Sequence, residues 1–346
     1  MRVAGVPYRT LRVAEDGWSV EVIDQTRLPR EFALVRLASV AEAARAIRDM
    51  RVRGAPLIGV TAAYGIALGA RLDPSAPAIE AAYRELLATR PTAVNLRWAL
   101  DRMRSALLAL TPNERAAAAY RLAGALAEED VSVCERIGLH GERVLRLRWE
   151  EAGRPERLRL LTHCNAGWLA TIDWGTALAP VYRAHDRGLP LHIWVGETRP
   201  RNQGYLTAWE LAQHGVSHTV VVDAAAGLLL RRGQVDLCVV GTDRTTRCGD
   251  VCNKIGTYPL ALAARDNQVP FYAAVPSSSV DWTLADGMAV PIEERDPREV
   301  HPDAGVPVLN PAFDVTPARL VTGLITERGV CGASEEGLLA LFPEKR

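Results

Sequence analysis

The sequence predicts an α/β protein in which a small, mostly helical N-terminal domain precedes a domain built on a parallel sheet. Up to about residue 150, apolar residues recur at helical spacing. From residue 158 onward, short apolar runs alternate with helix-length segments, which is typical of βαβ units. The chain has 346 residues, of which 48% are hydrophobic, and this is enough for two domains with sizeable cores. We therefore expect domains at 1–150 and 151–346.

The N-terminal part predicts helices separated by clear breaks. Apolar residues have helical spacing in four segments, at 41–50, 79–88, 94–110 and 114–129. Thr111-Pro112-Asn113 separates the last two segments. The uncharged run at 54–70 contains four glycines and is shorter than the roughly 20 strongly apolar residues of a membrane span, so it predicts a buried helix. Residues 8–23 predict a small strand pair with Asp16-Gly17 at its turn.

The C-terminal part predicts six strands, and the residues after those strands are where chemistry is expected. The apolar runs lie at 158–162, 191–195, 219–222, 235–240, 271–275 and 320–325. Ligands of open α/β sheets bind beyond the carboxyl ends of the strands. Polar and glycine-rich segments follow the runs at 163–167, 196–204, 241–257 and 276–279, and three of the seven asparagines lie in them.

Charge and motifs exclude several classes of function. The 41 basic and 41 acidic residues balance, which argues against a protein that coats nucleic acid or binds a membrane surface. The chain has neither the common P-loop pattern nor a Gly-x-Gly-x-x-Gly after a strand, which argues against a nucleotide triphosphatase and a standard dinucleotide enzyme. Six cysteines without zinc-site spacing and an N-terminus without a signal peptide predict reduced thiols, no metal and a cytoplasmic protein. Only two of the 41 basic residues are lysines, Lys254 and Lys345.

Taken singly, the candidate residues leave alternatives open. Asn253-Lys254 would open a helix running to about residue 265, whose N-terminus favours a phosphate. Arg53 offers a guanidinium next to a glycine that lets backbone approach a ligand. Cys164 alone could be a small buried hydrophobe, and Asp243 alone could cap a turn or pair with its neighbour. His163 could be a general base or a structural histidine.

Taken together, these segments resemble the S-methyl-5-thioribose-1-phosphate isomerase family, whose wider relatives include regulatory subunits of translation initiation factor 2B and ribose-1,5-bisphosphate isomerases. The matching segments are Arg53-Gly54-Ala55-Pro56, Arg90-Pro91-Thr92-Ala93-Val94-Asn95-Leu96, Leu161-Thr162-His163-Cys164-Asn165, Glu197-Thr198-Arg199-Pro200-Arg201-Asn202-Gln203-Gly204, Gly241-Thr242-Asp243-Arg244, Gly249-Asp250-Val251-Cys252-Asn253-Lys254-Ile255-Gly256-Thr257-Tyr258 and Pro291-Ile292-Glu293-Glu294-Arg295. They run in order across about residues 50–300, and their specificity lies in the combination.

The resemblance implies a function, a fold and a set of site residues. It implies conversion of 5-methylthio-α-D-ribose 1-phosphate to 5-methylthio-D-ribulose 1-phosphate in methionine salvage, by a homodimer that needs no organic cofactor. It implies a helical N-terminal domain and a Rossmann-like catalytic domain. The implied catalytic pair is Cys164 and Asp243, with Asp243 as proton donor. The implied substrate-binding residues are Arg53, Gly54, Ala55, Arg90, Gln203, Asn253 and Lys254.

Substrate and mechanism remain open within this resemblance. The chain departs from the family pattern at Gly196, Ala224 and Arg247-Cys248, beside the expected cleft. A 5-deoxyribose 1-phosphate or ribose 1,5-bisphosphate isomerase and a non-catalytic regulatory subunit are the alternatives. Cys164 would either remove the C2 proton as a thiolate or stabilise a direct hydride shift.

Overall fold

The computed structural model describes residues 1–303 and 305–346, and it confirms the α/β fold class. The chain divides into two compact units. The first comprises Met1, Val6–Ser132 and Trp168–Asp173, and the second comprises Arg2–Gly5, Val133–Gly167 and Trp174–Arg346.

The helices are α1 (Val40–Arg48), α2 (Ala55–Leu72), α3 (Ala76–Leu87), α4 (Val94–Leu108), α5 (Pro112–Glu151), α6 (Ala179–Asp186), α7 (Gly204–Gln213), α8 (Ala225–Arg231), α9 (Thr257–Asp266) and α10 (Glu335–Leu341). The strands are β1 (Arg2–Val3), β2 (Val6–Pro7), β3 (Leu11–Val13), β4 (Val20–Ile23), β5 (Leu34–Leu37), β6 (Leu158–Thr162), β7 (Leu191–Gly196), β8 (His218–Val221), β9 (Leu237–Val240), β10 (Arg244–Thr246), β11 (Val251–Lys254), β12 (Phe271–Ala274), β13 (Val280–Asp281), β14 (Phe313–Thr316), β15 (Gly323–Thr326) and β16 (Gly329–Cys331).

The first unit is organised around α2, which contacts α1, α3 and α4. By length and composition α2 could cross a membrane, but 78% of it is buried in the structure, as in the core helix of a soluble protein. A Cβ at Gly59 would lie 2.9 Å from the Asn95 carbonyl oxygen, so the small residues of α2 let α4 approach closely. The predicted strand pair is present as β3 and β4, and β5 joins it to form an antiparallel sheet.

The α5 helix is longer than the sequence predicts, because it continues for 40 residues instead of ending near residue 129. At 1.5 Å per residue it is about 60 Å long. Two glycines in its second half disfavour a helix, so the local pattern there does not predict one. The packing of α6 against α5 requires both of them. A Cβ at Gly138 would lie 3.1 Å from the Ala179 Cβ, and one at Gly141 would overlap Pro180, so both glycines admit α6. The two units divide inside this helix, after Ser132, whereas the sequence places the boundary at its end.

The second unit contains the predicted sheet, with seven strands in the order β16-β15-β12-β9-β6-β7-β8. The six predicted strands are present and parallel, and β16 adds an antiparallel edge. The last predicted strand is shifted, because 318–320 form a 3₁₀ turn and β15 begins at Gly323. The carboxyl ends of β9, β6, β7 and β8 therefore lie side by side.

A second, four-stranded sheet in the order β13-β10-β11-β14 was not predicted, and it corrects one expectation. Asn253 and Lys254 end strand β11 and do not open a helix, because they pair with Asp314 and Phe313 of β14. The helix α9 begins only at Thr257, after Gly256 in the left-handed conformation. The pairing partner lies about sixty residues further along the chain, so local pattern could not reveal this strand.

Candidate active site

Cys164 lies in a tight turn directly after β6, and its main chain is held on both sides. Its φ is +67°, in the left-handed region that residues other than glycine rarely adopt. The Cys164 N–H donates to the Thr198 hydroxyl at 2.8 Å, and the Thr207 hydroxyl donates to the Cys164 carbonyl oxygen at 2.8 Å. Such conformations cost on the order of 1–3 kcal/mol and concentrate at functional sites. The six cysteines, all within the described ranges, are thiols and form no disulfide.

The Thr198 turn that supports Cys164 is itself fixed by Asp223. The Thr198 and Arg199 N–H groups each donate to one Asp223 carboxylate oxygen at 2.8 Å, and the Thr198 hydroxyl donates to the Gly196 carbonyl oxygen at 2.9 Å. Asp223 follows β8, Thr198 follows β7 and Cys164 follows β6. Three neighbouring strand ends are thus connected through one carboxylate and one hydroxyl group.

Glu210 on α7 supports the same turn from behind, although the sequence analysis did not single it out. It is completely buried, and its two carboxylate oxygens accept hydrogen bonds from Asn165 Nδ2 at 2.9 Å and from the Tyr182 hydroxyl at 2.7 Å. A Cβ at Gly167 would overlap the carboxylate, which explains the glycine there. A glutamate in a mainly apolar helix was the signal that could have identified it.

His163 is a structural histidine in this geometry. It is buried, and its Nε2 atom lies 2.8 Å from the Ile255 carbonyl oxygen, to which the neutral ring donates. Burial lowers the pKa of His163, and the positive charge of Lys254 lowers it further. Its ring fits against Gly256, where a Cβ would lie 3.0 Å from Nε2. Of the two interpretations left open by the sequence, the structure favours the structural one.

Asp243 lies on a turn that adjoins the Cys164 turn. It follows β9, which is the neighbour of β6 in the sheet. A Cβ at Gly241 would lie 2.6 Å from the Ala166 Cβ, so the segments 163–167 and 241–244 are in close contact. The Asp243 main-chain N–H donates to the Cys252 carbonyl oxygen at 3.0 Å, and its side chain is half-buried.

The Cys252 thiol lies among the charged groups of this region. Burial raises its pKa to about 12, the negative charge of Asp243 acts in the same direction, and the positive charges of Arg244 and Lys254 oppose them. Cys252 therefore stays a neutral thiol at physiological pH and is no nucleophile.

Asn253 and Lys254 are presented by the end of β11, with 4% and 8% of their surface exposed. Asn253 Nδ2 donates to the Thr257 hydroxyl at 3.0 Å, and this hydroxyl donates to the Lys254 carbonyl oxygen at 2.7 Å. The first turn of α9 thus fixes both residues. Burial raises the pKa of Asp314, which accepts hydrogen bonds from Gly256 and Tyr258 in the same turn, to about 6.

Gln203 supplies a hydrogen-bond acceptor in the segment between β7 and α7. It precedes α7, the helix whose Thr207 holds Cys164, and only 5% of its surface is exposed. Its Oε1 atom is buried and has no hydrogen-bond partner within residues 1–303 and 305–346. Because a buried carboxamide oxygen without a donor costs about 1–3 kcal/mol, this atom is well suited to accept from a ligand hydroxyl.

Arg53, in the first unit, is a buried guanidinium oriented by Gln25. Arg53 Nε donates to the Gln25 carboxamide oxygen at 3.2 Å, and the Gln25 nitrogen donates to the Leu169 carbonyl oxygen at 2.6 Å. The Gln25 main-chain N–H donates to the Arg51 carbonyl oxygen at 2.9 Å. Gln25 was not among the residues predicted from sequence, because no local pattern connects it to Arg53.

The other predicted residues of the first unit lie at helix ends. Gly54 precedes α2 with φ +94°, and a Cβ there would overlap Ala170. Close packing against Ala170 therefore requires a glycine at this position. Ala55 is the first residue of α2, and Arg90 is half-buried in the turn between α3 and α4.

Five of the predicted residues lie in the second unit. Cys164, Gln203 and Asp243 follow strands β6, β7 and β9 of the seven-stranded sheet, whereas Asn253 and Lys254 end β11 of the four-stranded sheet. Within the first unit, Arg53, Gly54 and Ala55 adjoin the start of α2, and Arg90 lies on another loop. The supporting residues Gln25, Glu210, Phe313 and Asp314 were not among those predicted from the sequence.

The chain is similar to known proteins at the level of family, sequence and structure. The model of the Initiation factor 2 subunit family matches residues 51–333. A methylthioribose-1-phosphate isomerase from Methylorubrum populi is 61% identical over 100% of this chain and 99% of that protein. One from Escherichia coli is 55% identical over 99% of this chain and 97% of that protein.

Two solved structures share the fold over almost the whole chain. The 5-methylthioribose 1-phosphate isomerase of Pyrococcus horikoshii has a TM-score of 0.86 and 41% identity, covering 98% of this chain and 96% of that one. The translation initiation factor eIF-2B subunit delta from A. fulgidus has a TM-score of 0.82 and 38% identity, covering 97% and 100%. The chain therefore belongs to the initiation factor 2 subunit family and, within it, to the methylthioribose-1-phosphate isomerases.

Proposed function

We propose that this protein converts 5-methylthio-α-D-ribose 1-phosphate to 5-methylthio-D-ribulose 1-phosphate, an aldose–ketose isomerisation of methionine salvage. The observation that carries the proposal is the 61% identity to a methylthioribose-1-phosphate isomerase over the full length of both chains. The residues at the sheet edge supply the groups that this chemistry needs.

The substrate poses a specific chemical problem. Its anomeric oxygen carries the phosphate, so the sugar ring cannot open by the ordinary hemiacetal route. An acid must protonate the ring oxygen to help the ring open, and a hydrogen must then move from C2 to C1. Substrate and product are isomers, so the reaction needs no external oxidant or reductant.

Asp243 is the proposed acid that protonates the ring oxygen. Its turn adjoins the Cys164 turn, and its half-buried position beside the neutral Cys252 thiol partly excludes water. A positioned general acid of this kind contributes on the order of 10²–10⁴-fold to a rate.

Cys164 is the proposed group at C2. As a thiolate it removes the C2 proton, and the resulting enol-like intermediate takes up a proton at C1 while the C2 hydroxyl group loses its proton and becomes the ketone. In the alternative route, hydride moves directly from C2 to C1, the C2 hydroxyl group loses its proton to give the same ketone, and Cys164 stabilises charge. Substrate deuterated at C2 distinguishes the two routes in ordinary water, because loss of the label shows proton exchange and complete transfer to C1 shows a hydride shift.

Seven residues are proposed to bind the substrate. In the first unit, the Arg53 guanidinium, Arg90 and the main-chain N–H groups near Gly54 and Ala55 are suited to the phosphate, since helix N-termini attract anions. In the second unit, Gln203, Asn253 and Lys254 are suited to hydroxyl or phosphate oxygens, and the unpaired Gln203 Oε1 atom favours a hydroxyl donor. We also propose that the protein is cytoplasmic and forms a homodimer. Light scattering of the purified protein tests the homodimer directly.

The decisive experiment is an isomerase assay on three substrates in parallel: 5-methylthioribose 1-phosphate, 5-deoxyribose 1-phosphate and ribose 1,5-bisphosphate. We expect ketose product with the highest kcat/KM for the methylthio sugar. A Cys164→Ala protein purified in the same way controls for contaminating isomerases. Absence of product from all three substrates would overturn the proposal, and preference for another sugar would change its substrate.

A further inference from the structure

Lys254 lies against an aromatic ring in a chain that otherwise uses arginine. It is one of two lysines among 41 basic residues, and the other, Lys345, is exposed next to the C-terminus. The Lys254 Nζ atom lies 4.7 Å from the centre of the Phe313 ring. An ammonium group within about 6 Å of an aromatic face is attracted by the negative charge of that face.

The main chains of the two residues are fixed with respect to each other. Lys254 and Phe313 are directly paired across the antiparallel strands β11 and β14, so their side chains share one face of the sheet. The Thr257 hydroxyl holds the Lys254 carbonyl oxygen at 2.7 Å. The carboxylate of Asp314, the residue after Phe313, accepts hydrogen bonds from Gly256 at 2.7 Å and Tyr258 at 3.1 Å. The main chain of neither residue can move without breaking these bonds.

The ring and the buried surroundings suit an ammonium group. The positive charge of Lys254 acts on His163 and on Cys252, which are both buried and neutral at physiological pH. Only 8% of the Lys254 surface is exposed, so the ammonium lies in a position with little water. A planar guanidinium is larger and would present its fork of donors in a different place.

We propose that Phe313 is a positioning residue, whose ring holds the Lys254 ammonium at the substrate site. The contribution to catalysis rests on the proposed isomerase function, whereas the Lys254–Phe313 contact does not.

Nuclear magnetic resonance of protein labelled with ¹³C at lysine Cε tests the contact without any activity measurement. The two lysines give two signals, and the Lys345 signal is the internal reference. We expect the Lys254 methylene protons upfield of those of Lys345 because of the Phe313 ring current. The shift should disappear in Phe313→Leu and persist in Phe313→Tyr. Coincident lysine signals in the wild type, or a shift unchanged in Phe313→Leu, would overturn the proposal.

Kinetics test the positioning role. Phe313→Leu should raise KM roughly two- to thirty-fold, which is the range of a cation–π contact, while kcat stays within about two-fold. Phe313→Tyr retains the aromatic face and should have nearly wild-type KM. Phe342→Leu is the matched control, because it removes another ring that holds a cation, with Arg328 at 4.4 Å, and should leave KM unchanged.

Two further results separate this proposal from the proposed function. If the wild type isomerises no sugar, the lysine resonances are instead recorded during a titration with inorganic phosphate. Phosphate should shift the Lys254 signal less in Phe313→Leu than in the wild type. An equal effect of phosphate in both proteins, or an unchanged KM in an active Phe313→Leu, contradicts the positioning role. Lys254→Arg should raise KM by at least as much as Phe313→Leu, and wild-type kinetics in that variant would show that the ammonium is not required.

Discussion

Gln25 accepts a hydrogen bond from Arg53 Nε at 3.2 Å and, through its own side-chain nitrogen, ties that guanidinium to the Leu169 carbonyl oxygen. Gln25→Leu should therefore raise KM about ten-fold, since a hydrogen bond to a charged group contributes on the order of 1.5–3 kcal/mol. Gln25→Glu keeps an oxygen acceptor and should have the smaller effect in the same steady-state assay. Equal, wild-type KM values in both variants would show that Arg53 is oriented without Gln25.

Asp243→Asn tests the proton donor. The amide is nearly the same size but cannot protonate the ring oxygen, so kcat should fall by about 10²–10⁴-fold. Substrate should still bind, and calorimetric titration with the methylthio sugar should give a dissociation constant within about ten-fold of wild type. Turnover close to wild type would remove Asp243 from the acid role.

Cys164→Gly separates chemistry from stability at the strained turn. Cys164 has φ +67°, which glycine adopts without cost. The free energy of unfolding of the variant should therefore rise by up to about 1 kcal/mol, and its urea midpoint should be slightly higher. Turnover should nevertheless be lost because the thiol is missing. Retained activity together with lowered stability is the opposite result, and it would favour a packing role for Cys164.

Tyr182→Phe tests the buried carboxylate behind the Cys164 turn. The variant leaves the fully buried Glu210 without its 2.7 Å hydroxyl donor, so the free energy of unfolding should fall by about 1–3 kcal/mol. Tyr83→Phe is the matched control, because its hydroxyl donates at the same distance to Asp101, whose side chain is exposed. Urea denaturation should show the larger loss for Tyr182→Phe, and equal losses would contradict this reading of Glu210.

Asp314→Asn should change the dependence of stability on pH. Burial raises the pKa of Asp314 to about 6 from its usual 3.8, so the folded state holds the proton more tightly than the unfolded state. The resulting stabilisation is complete below about pH 4 and is lost as pH rises through 6. Asparagine does not ionise in this range, so the stability of the variant should not fall in this way as pH rises. The difference in unfolding free energy between wild type and variant should therefore change by about 1–3 kcal/mol between pH 4 and 7, and parallel profiles would disprove it.

The main sheet and the positions of Cys164 and Asp243 after its strands were predictable from sequence because their signals are local. Each buried parallel strand is a short apolar run, and Cys164 and Asp243 directly follow two of these runs. The family resemblance is confirmed by the full-length relatives, and the catalytic roles that it implies for these two residues stay predictions. The binding roles of the individual residues stay predictions until the assays above are done.

What the sequence did not reveal depends on contacts between distant segments. Strand β11 was taken for the start of a helix because its partner Phe313 lies about sixty residues away. Gln25 and Glu210 act through hydrogen bonds to residues 28 and 45 positions away. The second half of α5 was missed because Gly138 and Gly141, which disfavour helices, are required by the approach of α6. In each case, tertiary packing overrides the local preference.

The scarcity of lysine has a practical consequence for measuring motion. A protease that cuts only after lysine has one internal target in this chain, the Lys254–Ile255 bond, because cleavage after Lys345 releases a single residue. Lys254 is 8% exposed and its strand is paired on both sides, so the folded protein should resist cleavage there. Digestion into two fragments therefore reports how often the β11–β14 pairing opens, at one defined bond and without any engineered label.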